Sequence, residues 1–144
     1  MKREYPDRPI VGVGAVIVES GRAVVVRRAA EPLTGAWSIP GGVLELGETL
    51  RAGVAREALE ETGLTVEVRE VLDVFDRILP DRDGRTQFHY VLIDFLCVRI
   101  AGELRAGADA AEARWLSAAE LDTFPLTDGG AAVMRKAFAV MDRR

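Results

Sequence analysis

The run "PIVGVGAVIVE" at 9–19, rich in β-branched and small residues, most constrains the fold. Such a run reads as a strand. "SGR" at 20–22 reads as a turn and "AVVVRR" at 23–28 as the returning strand, so the two predict a hairpin. The "GVG" at 12–14 lies within a strand and opens no helix, so it fails the dinucleotide-binding fingerprint. Residues 29–42, "AAEPLTGAWSIPGG", form a Pro- and Gly-rich loop with a short strand piece at "WSIP". "TVEVREVLDVFDRIL" (65–79) alternates as one or two strands, and "DRDG" (81–84) reads as a turn. "TQFHYVLIDFLCVRI" (86–100) is a long strand, buried in its second half, and "ARWL" (113–116) a short one. "SAAEL" (117–121) carries a capping box, Ser117 and Glu120, for a short helix. Residues 128–142 predict a C-terminal helix anchored by Ala132, Val133, Phe138 and Met141. Strands dominate, with one helix in the middle and one at the end. This pattern predicts a mixed α/β layer arrangement and not a regular βαβ repeat.

The 144 residues suit a single domain spanning 1–144. A net charge of −4, with no basic block, argues against nucleic acid as a partner. The single cysteine, Cys97, lies in an apolar strand-like run and reads as a buried structural thiol. The start shows no signal-peptide pattern, and no apolar run approaches the ~18 residues a membrane span needs. The expectation is a cytoplasmic protein with no membrane partner. "DRDG" resembles the start of a calcium loop, but the third acidic position and the closing Glu are missing.

Residues 50–62 predict a helix, with Thr49 as N-cap and Gly63 just past its end. On a wheel of about 100° per residue, Glu57, Glu60 and Glu61 share an arc of roughly 100°. Ala52, Ala55, Ala58, Leu59 and Thr62 fall opposite and are expected to pack on a sheet. Two readings compete here. A solvated acidic face is the common one. Yet Glu57 and Glu61 stand at i and i+4, where like charges repel, and Arg56 is the only nearby cation late in the helix. Clustered carboxylates with little countercharge suit a hard divalent cation such as Mg2+.

The wider spacing favours the second reading. Gly42, then Glu48, then the block Arg56-Glu57-Ala58-Leu59-Glu60-Glu61-Thr62-Gly63-Leu64 resembles the Nudix box at every fixed position, with Ala58 and Leu64 in its aliphatic positions. The opening "VGVGAVIVESGRAVVVRRA", the approach "GAWSIPGG" and the late "EARWLSAAEL" are also similar to that family, so the resemblance covers most of the chain. It implies an α/β/α sandwich with a mixed central sheet. It also implies metal-dependent hydrolysis of a nucleoside diphosphate linked to another group.

The resemblance assigns Glu57, Glu60 and Glu61 to the metal, Mg2+ or in its place Mn2+, with the Gly41 carbonyl as a further ligand. Glu57 and Glu61 are expected to be the strongest pair, and Glu57 is also a candidate general base. Arg56 and Glu48 are expected to pair and orient the carboxylates; Glu48 also suits a helix N-terminus on dipole grounds. Gly42 lets backbone approach the phosphates, and Arg27 or Arg77 would clamp the anion. Glu112 is a candidate extra acid, against the alternative of a rim residue. His89 is expected to be structural rather than a substrate contact. Gly53 costs the helix about 1 kcal/mol relative to Ala and leaves the carboxylate pattern untouched.

The box identifies chemistry, not substrate. Pro80, sixteen residues beyond Leu64, resembles the ADP-ribose pyrophosphatase group, as do "YPDRPIVGVGAV" and "HYVLIDFLC". A turn proline explains Pro80 equally well. ADP-ribose or a related nucleotide sugar is the leading expectation, with AMP and a sugar phosphate as products. The rival is a nucleoside triphosphate pyrophosphatase that clears damaged nucleotides, and a non-catalytic nucleotide-sugar binder stands behind it. The same resemblance suggests a homodimer in which segment 1–10 exchanges.

Overall fold

A computed structural model describes residues 2–107, 109–127 and 129–143. In chain order it contains β1 (Ile10–Glu19), β2 (Arg22–Arg28), β3 (Trp37–Ser38), β4 (Gly41–Val43), α1 (Leu50–Thr62), β5 (Thr65–Pro80) and β6 (Thr86–Ala101). β7 (Ala110–Ser117), a single 3-10 turn (Ala118–Glu120) and α2 (Gly130–Asp142) complete it. The strands run in the order β3-β2-β1-β6-β5, with β4 added beside β1 and β7 beside β2.

β1 is the hub. Its parallel register with β6 runs from Ile10↔Tyr90 to Ile17↔Cys97, while β4 pairs antiparallel through Gly12↔Val43, Val13↔Gly42 and Gly14↔Gly41. The predicted hairpin exists, but β1 and β2 pair only at Val18↔Ala23 and Glu19↔Arg22 before β2 turns to β3 and β7. Because side chains alternate across a strand, β1 feeds two cores. Val13, Ala15 and Ile17 pack with Val54 and Ala58 of α1; Val16 and Val18 pack with Val133, Met134 and Ala137 of α2. Burial on both faces is why this strand reads as a continuous apolar run. The result is a sheet of mixed direction between two helices, the α/β/α sandwich.

α1 starts and stops for local reasons. Thr49 is extended (φ −73°, ψ 159°) and its hydroxyl accepts from the Ala52 N–H at 3.1 Å. Gly63 ends the helix with φ 75°, a conformation a side chain would strain, and its N–H reaches the Leu59 carbonyl. The face it buries differs from expectation. Gly53, Val54, Ala58, Glu61 and Thr62 are buried, while Ala52 and Leu59 face out. The wheel assumed that the carboxylates point away from the packed side. Glu57 and Glu61 instead continue the packed face to where α1 meets β4. In α2, Val133 and Phe138 are buried as expected and Met141 packs on the core, but Ala132 is exposed, and Met134 and Ala137 complete the stripe. Residue 128, within the predicted helix, lies outside the described residues.

The expected capping box is formed: Glu120 Oε1 accepts from the Ser117 N–H and hydroxyl, both at 3.0 Å. Segment 2–9 lies on its own β5–β6 arm, where the Tyr5 hydroxyl donates to Asp81 at 2.7 Å and the Tyr5 N–H to the Gln87 carbonyl. Cys97 is fully buried, which pushes its thiol up to about 12 and suits a structural role. Among the described residues, no helix is long and apolar enough to cross a membrane.

Candidate active site

A cavity of about 210 Å³ opens where α1, β4, the middle of β6 and the approach to α2 converge. Gly41, Gly42, Glu57 and Glu61 line one part of it. The Gly41 N–H donates to Glu61 Oε2 at 3.2 Å, which ties that carboxylate to β4. A Cβ placed on Gly42 would sit 2.5 Å from Glu57 Cδ, so only glycine admits that carboxylate against β4.

Arg56 organises the outer side of this cluster. Its Nε donates to Glu48 Oε2 at 2.6 Å and its Nη2 to Glu48 Oε1 at 2.8 Å, a two-point pairing. Nη1 donates to Glu57 Oε1 at 2.8 Å and Glu60 Oε2 at 3.2 Å, and Nη2 reaches the Val43 carbonyl at 3.2 Å. Arg56 thus joins the start of α1 to β4 and fixes one oxygen of Glu57. The hydrogen bonds from Arg56 hold the Glu48 carboxyl down at about 2. Gly53 has a packing reason that its helix cost did not reveal. A Cβ there would lie 2.8 Å from Leu44 Cδ1 and 3.0 Å from Glu48 Oε1.

The carboxylates inside the cavity behave differently. Burial raises the Glu57 carboxyl, with Arg56 opposing. Burial pushes Glu61 up to about 7, opposed by the Gly41 N–H and reinforced by the charge of Glu57. Two desolvated carboxylates on adjacent turns form a site that a divalent cation would relieve. Among the described residues, no three acidic or histidine side chains gather closely enough to chelate an ion as they stand. Two carboxylates with main-chain and water oxygens still fit a hard ion that retains part of its water shell. Glu60 is half exposed, bonded to Arg56 and absent from the cavity wall.

Of the arginines expected at the substrate, Arg77 lines the cavity, whereas Arg27 lies outside and faces Glu112 at 3.6 Å on the paired strand β7. Arg28 takes the inward place, and its charge acts on Glu61. Arg28 has the strand parity of Val24 and Val26, which face α1, and that parity could have identified it. Arg3, from the N-terminal segment, also reaches the cavity. Glu112 is outside; Asp109, three residues earlier, lines the wall and raises both Glu57 and Glu61. His89 is half-buried on β6 and outside the cavity.

Sequence reasoning missed the far part of the cavity. Asp94 and Ser38 line it, 4% and 6% exposed. A lone carboxylate inside the apolar run 91–98 was the available signal for Asp94. No comparable signal marks Ser38.

The NUDIX domain family profile matches residues 8–139, and the chain belongs to that family of hydrolases. It is 40% identical over 107 residues to a protein of Methanocaldococcus jannaschii named ADP-ribose pyrophosphatase, covering 74% of this chain. The match spans 61% of that relative, less than two thirds of its length. It is 31% identical over 118 residues to the 8-oxo-dGTP diphosphatase of Escherichia coli, covering 80% of this chain and 86% of the relative. The crystal structure of a MutT NUDIX hydrolase from Burkholderia pseudomallei superposes with a TM-score of 0.76 at 30% identity, covering 90% of this chain and 98% of the other. Enzymes of this family generally use divalent metal ions and act on small nucleoside diphosphate derivatives.

Proposed function

We propose that this protein hydrolyses ADP-ribose or a related nucleotide sugar with Mg2+, releasing AMP and a sugar phosphate. One observation carries the chemistry: the desolvated pair Glu57 and Glu61 shares a cavity with the side-chain-free Gly41–Gly42 edge and with Arg28 and Arg77. The name of the relative at 40% identity and the place of Pro80 support the sugar-linked substrate.

Glu57 and Glu61 would hold the cation. When bound, it supplies charge neutralisation of the diphosphate and an acidified water. Arg28 and Arg77 face the remaining negative charge. Arg56 holds Glu57 through one oxygen and leaves the other for the cavity side. The water oxygen adds to one phosphorus, and the bridging P–O bond breaks with its electrons passing to the departing phosphate. A carboxylate at the cavity takes the water proton, and we place that role with Asp109, which lines the wall, rather than with Glu112, which does not, or with Glu57, whose oxygens serve Arg56 and the cation.

The test is incubation with ADP-ribose, with Mg2+ or with EDTA, beside a panel of nucleoside triphosphates and with product chromatography. Metal-dependent AMP release, faster than cleavage of any triphosphate, is the expected result. Pyrophosphate release from a triphosphate with no action on ADP-ribose would replace this reading with the nucleotide-pool one.

A further inference from the structure

The wall formed by β6 differs from the metal end. Gly14 pairs with Gly41 on one side and Asp94 on the other, so Asp94 stands two strand spacings, roughly 10 Å, from the Gly41 backbone. Its side chain leans across the chain: a Cβ on Gly14 would collide with Asp94 Oδ1 and come within 2.9 Å of Ile39 Cδ1. Leu92 does the same at Gly12, where a Cβ would lie 2.6 Å from its Cδ2. Two glycines in the hub strand therefore make room for a carboxylate and a leucine in the cavity wall.

Asp94 is 4% exposed, and burial pushes its carboxyl up to about 7, with the charge of Asp73 reinforcing and that of Arg77 opposing. Ser38 is the one residue among those described whose buried side-chain oxygen has no partner at all. Both line the same cavity, between the apolar surfaces of Phe75, Leu92, Ile39 and Val133. Buried polar groups are ordinarily satisfied, so the unpartnered Ser38 hydroxyl beside a buried carboxyl marks where a ligand supplies partners. A carboxylate asks for donors and repels phosphate. An apolar wall that includes the Phe75 ring suits a planar ring better than a polyol. Arg3 and Arg28 act on Tyr90, while Arg77 reaches both ends of the cavity: its charge acts on Tyr90 and on Asp94, and its guanidinium lies 6.0 Å from the Phe75 ring centroid.

We propose that Asp94 and Ser38 form the nucleobase subsite, with Asp94 accepting from the exocyclic amino group of the base and thereby selecting amino bases over keto bases. This rests on the nucleotide reading above and goes beyond it by naming the part of the nucleotide that the β6 wall recognises. Glutamates 57 and 61 carry the reaction; Asp94 sets specificity.

The test is binding of AMP and IMP to the Mg2+-loaded protein by calorimetry, since the two differ in the base alone. Wild-type protein should bind AMP at least about tenfold tighter, the size expected when a buried acceptor is left without its donor. Asp94→Asn presents an amide that can donate to a keto oxygen. It should bring the AMP/IMP ratio to one or below while the melting temperature stays near wild type. Ser38→Ala should weaken AMP binding several-fold. Equal affinity for AMP and IMP in the wild type would overturn the proposal and leave Asp94 reading the ribose or nothing. An unchanged ratio in Asp94→Asn, or no binding of either nucleotide, would overturn it as well. The readout needs no turnover, so failure to cleave ADP-ribose leaves the base preference standing, and a missing preference leaves hydrolysis standing.

Discussion

The two parts of the cavity are built in opposite ways. At the α1 end, the charges are knit together before any ligand arrives: Glu48, Glu57 and Glu60 all bond Arg56, and Glu61 takes the Gly41 N–H. At the β6 end, the buried Ser38 hydroxyl has no partner among the described residues, and the buried Asp94 carboxyl stands between the charges of Asp73 and Arg77. Preorganised charge serves a reaction whose electrostatics are the same for every substrate. Unmet polar groups serve discrimination, because the right ligand satisfies them and the wrong one does not.

The largest effect should come from removing the metal. EDTA should abolish hydrolysis and re-addition of Mg2+ should restore it; activity that persists through chelation would separate the α1 end from its assigned chemistry. Next, Glu61→Gln should retain the fold and lose about 10²–10⁴ of kcat, measured on ADP-ribose. Full turnover in a folded Glu61→Gln protein would end the assignment. Arg56→Ala removes the tie between α1 and β4. It should reduce kcat/KM about 10–100-fold and lower stability by roughly 1–3 kcal/mol in urea unfolding, since Glu48 and Glu57 lose their donor together.

A subtler expectation concerns pH. Burial raises the Glu61 carboxyl from its ordinary 4.5 to about 7, so the folded chain binds a proton more tightly than the unfolded one. The stabilising contribution is complete below the ordinary value and is lost as pH rises through about 7. In metal-free protein, Glu61→Gln should therefore raise stability by about 1–3 kcal/mol at pH 8 and change it little at pH 4.5. A Glu61→Gln protein no more stable than wild type at pH 8 would show that this carboxylate is solvated. Gly53→Ala sets a gain of about 1 kcal/mol in helix propensity against crowding of Leu44 and Glu48. Because Glu48 holds Arg56, the change should cost activity more than stability, and a rise in kcat would contradict that.

The legibility of the two regions differs for a physical reason. α1 is set by local signals: Thr49, Gly63 and the spacing of Glu48, Arg56, Glu57, Glu60 and Glu61 lie within one short segment, so sequence revealed the element and its candidate residues together. The face of the helix was misjudged because charge was assumed to seek water. Burial of Glu57 and Glu61 depends on β4, a three-residue strand whose glycines leave room for them. The far end is assembled from Ser38, Asp94, Phe75 and Val133, on separate strands and α2, and no local spacing announces it. Arg27 and Arg28 show the intermediate case. Both were visible, but only strand parity, known once β2 is placed against α1, says which one turns inward.

The most direct test of the account is Mn2+ binding, followed by electron paramagnetic resonance, in wild-type protein and in the Glu57→Gln/Glu61→Gln double variant. The account predicts saturable binding in the wild type and at least a tenfold loss of affinity in a folded double variant. Equal affinity in the two proteins would place the cation elsewhere and contradict the claim that this buried pair is the metal site.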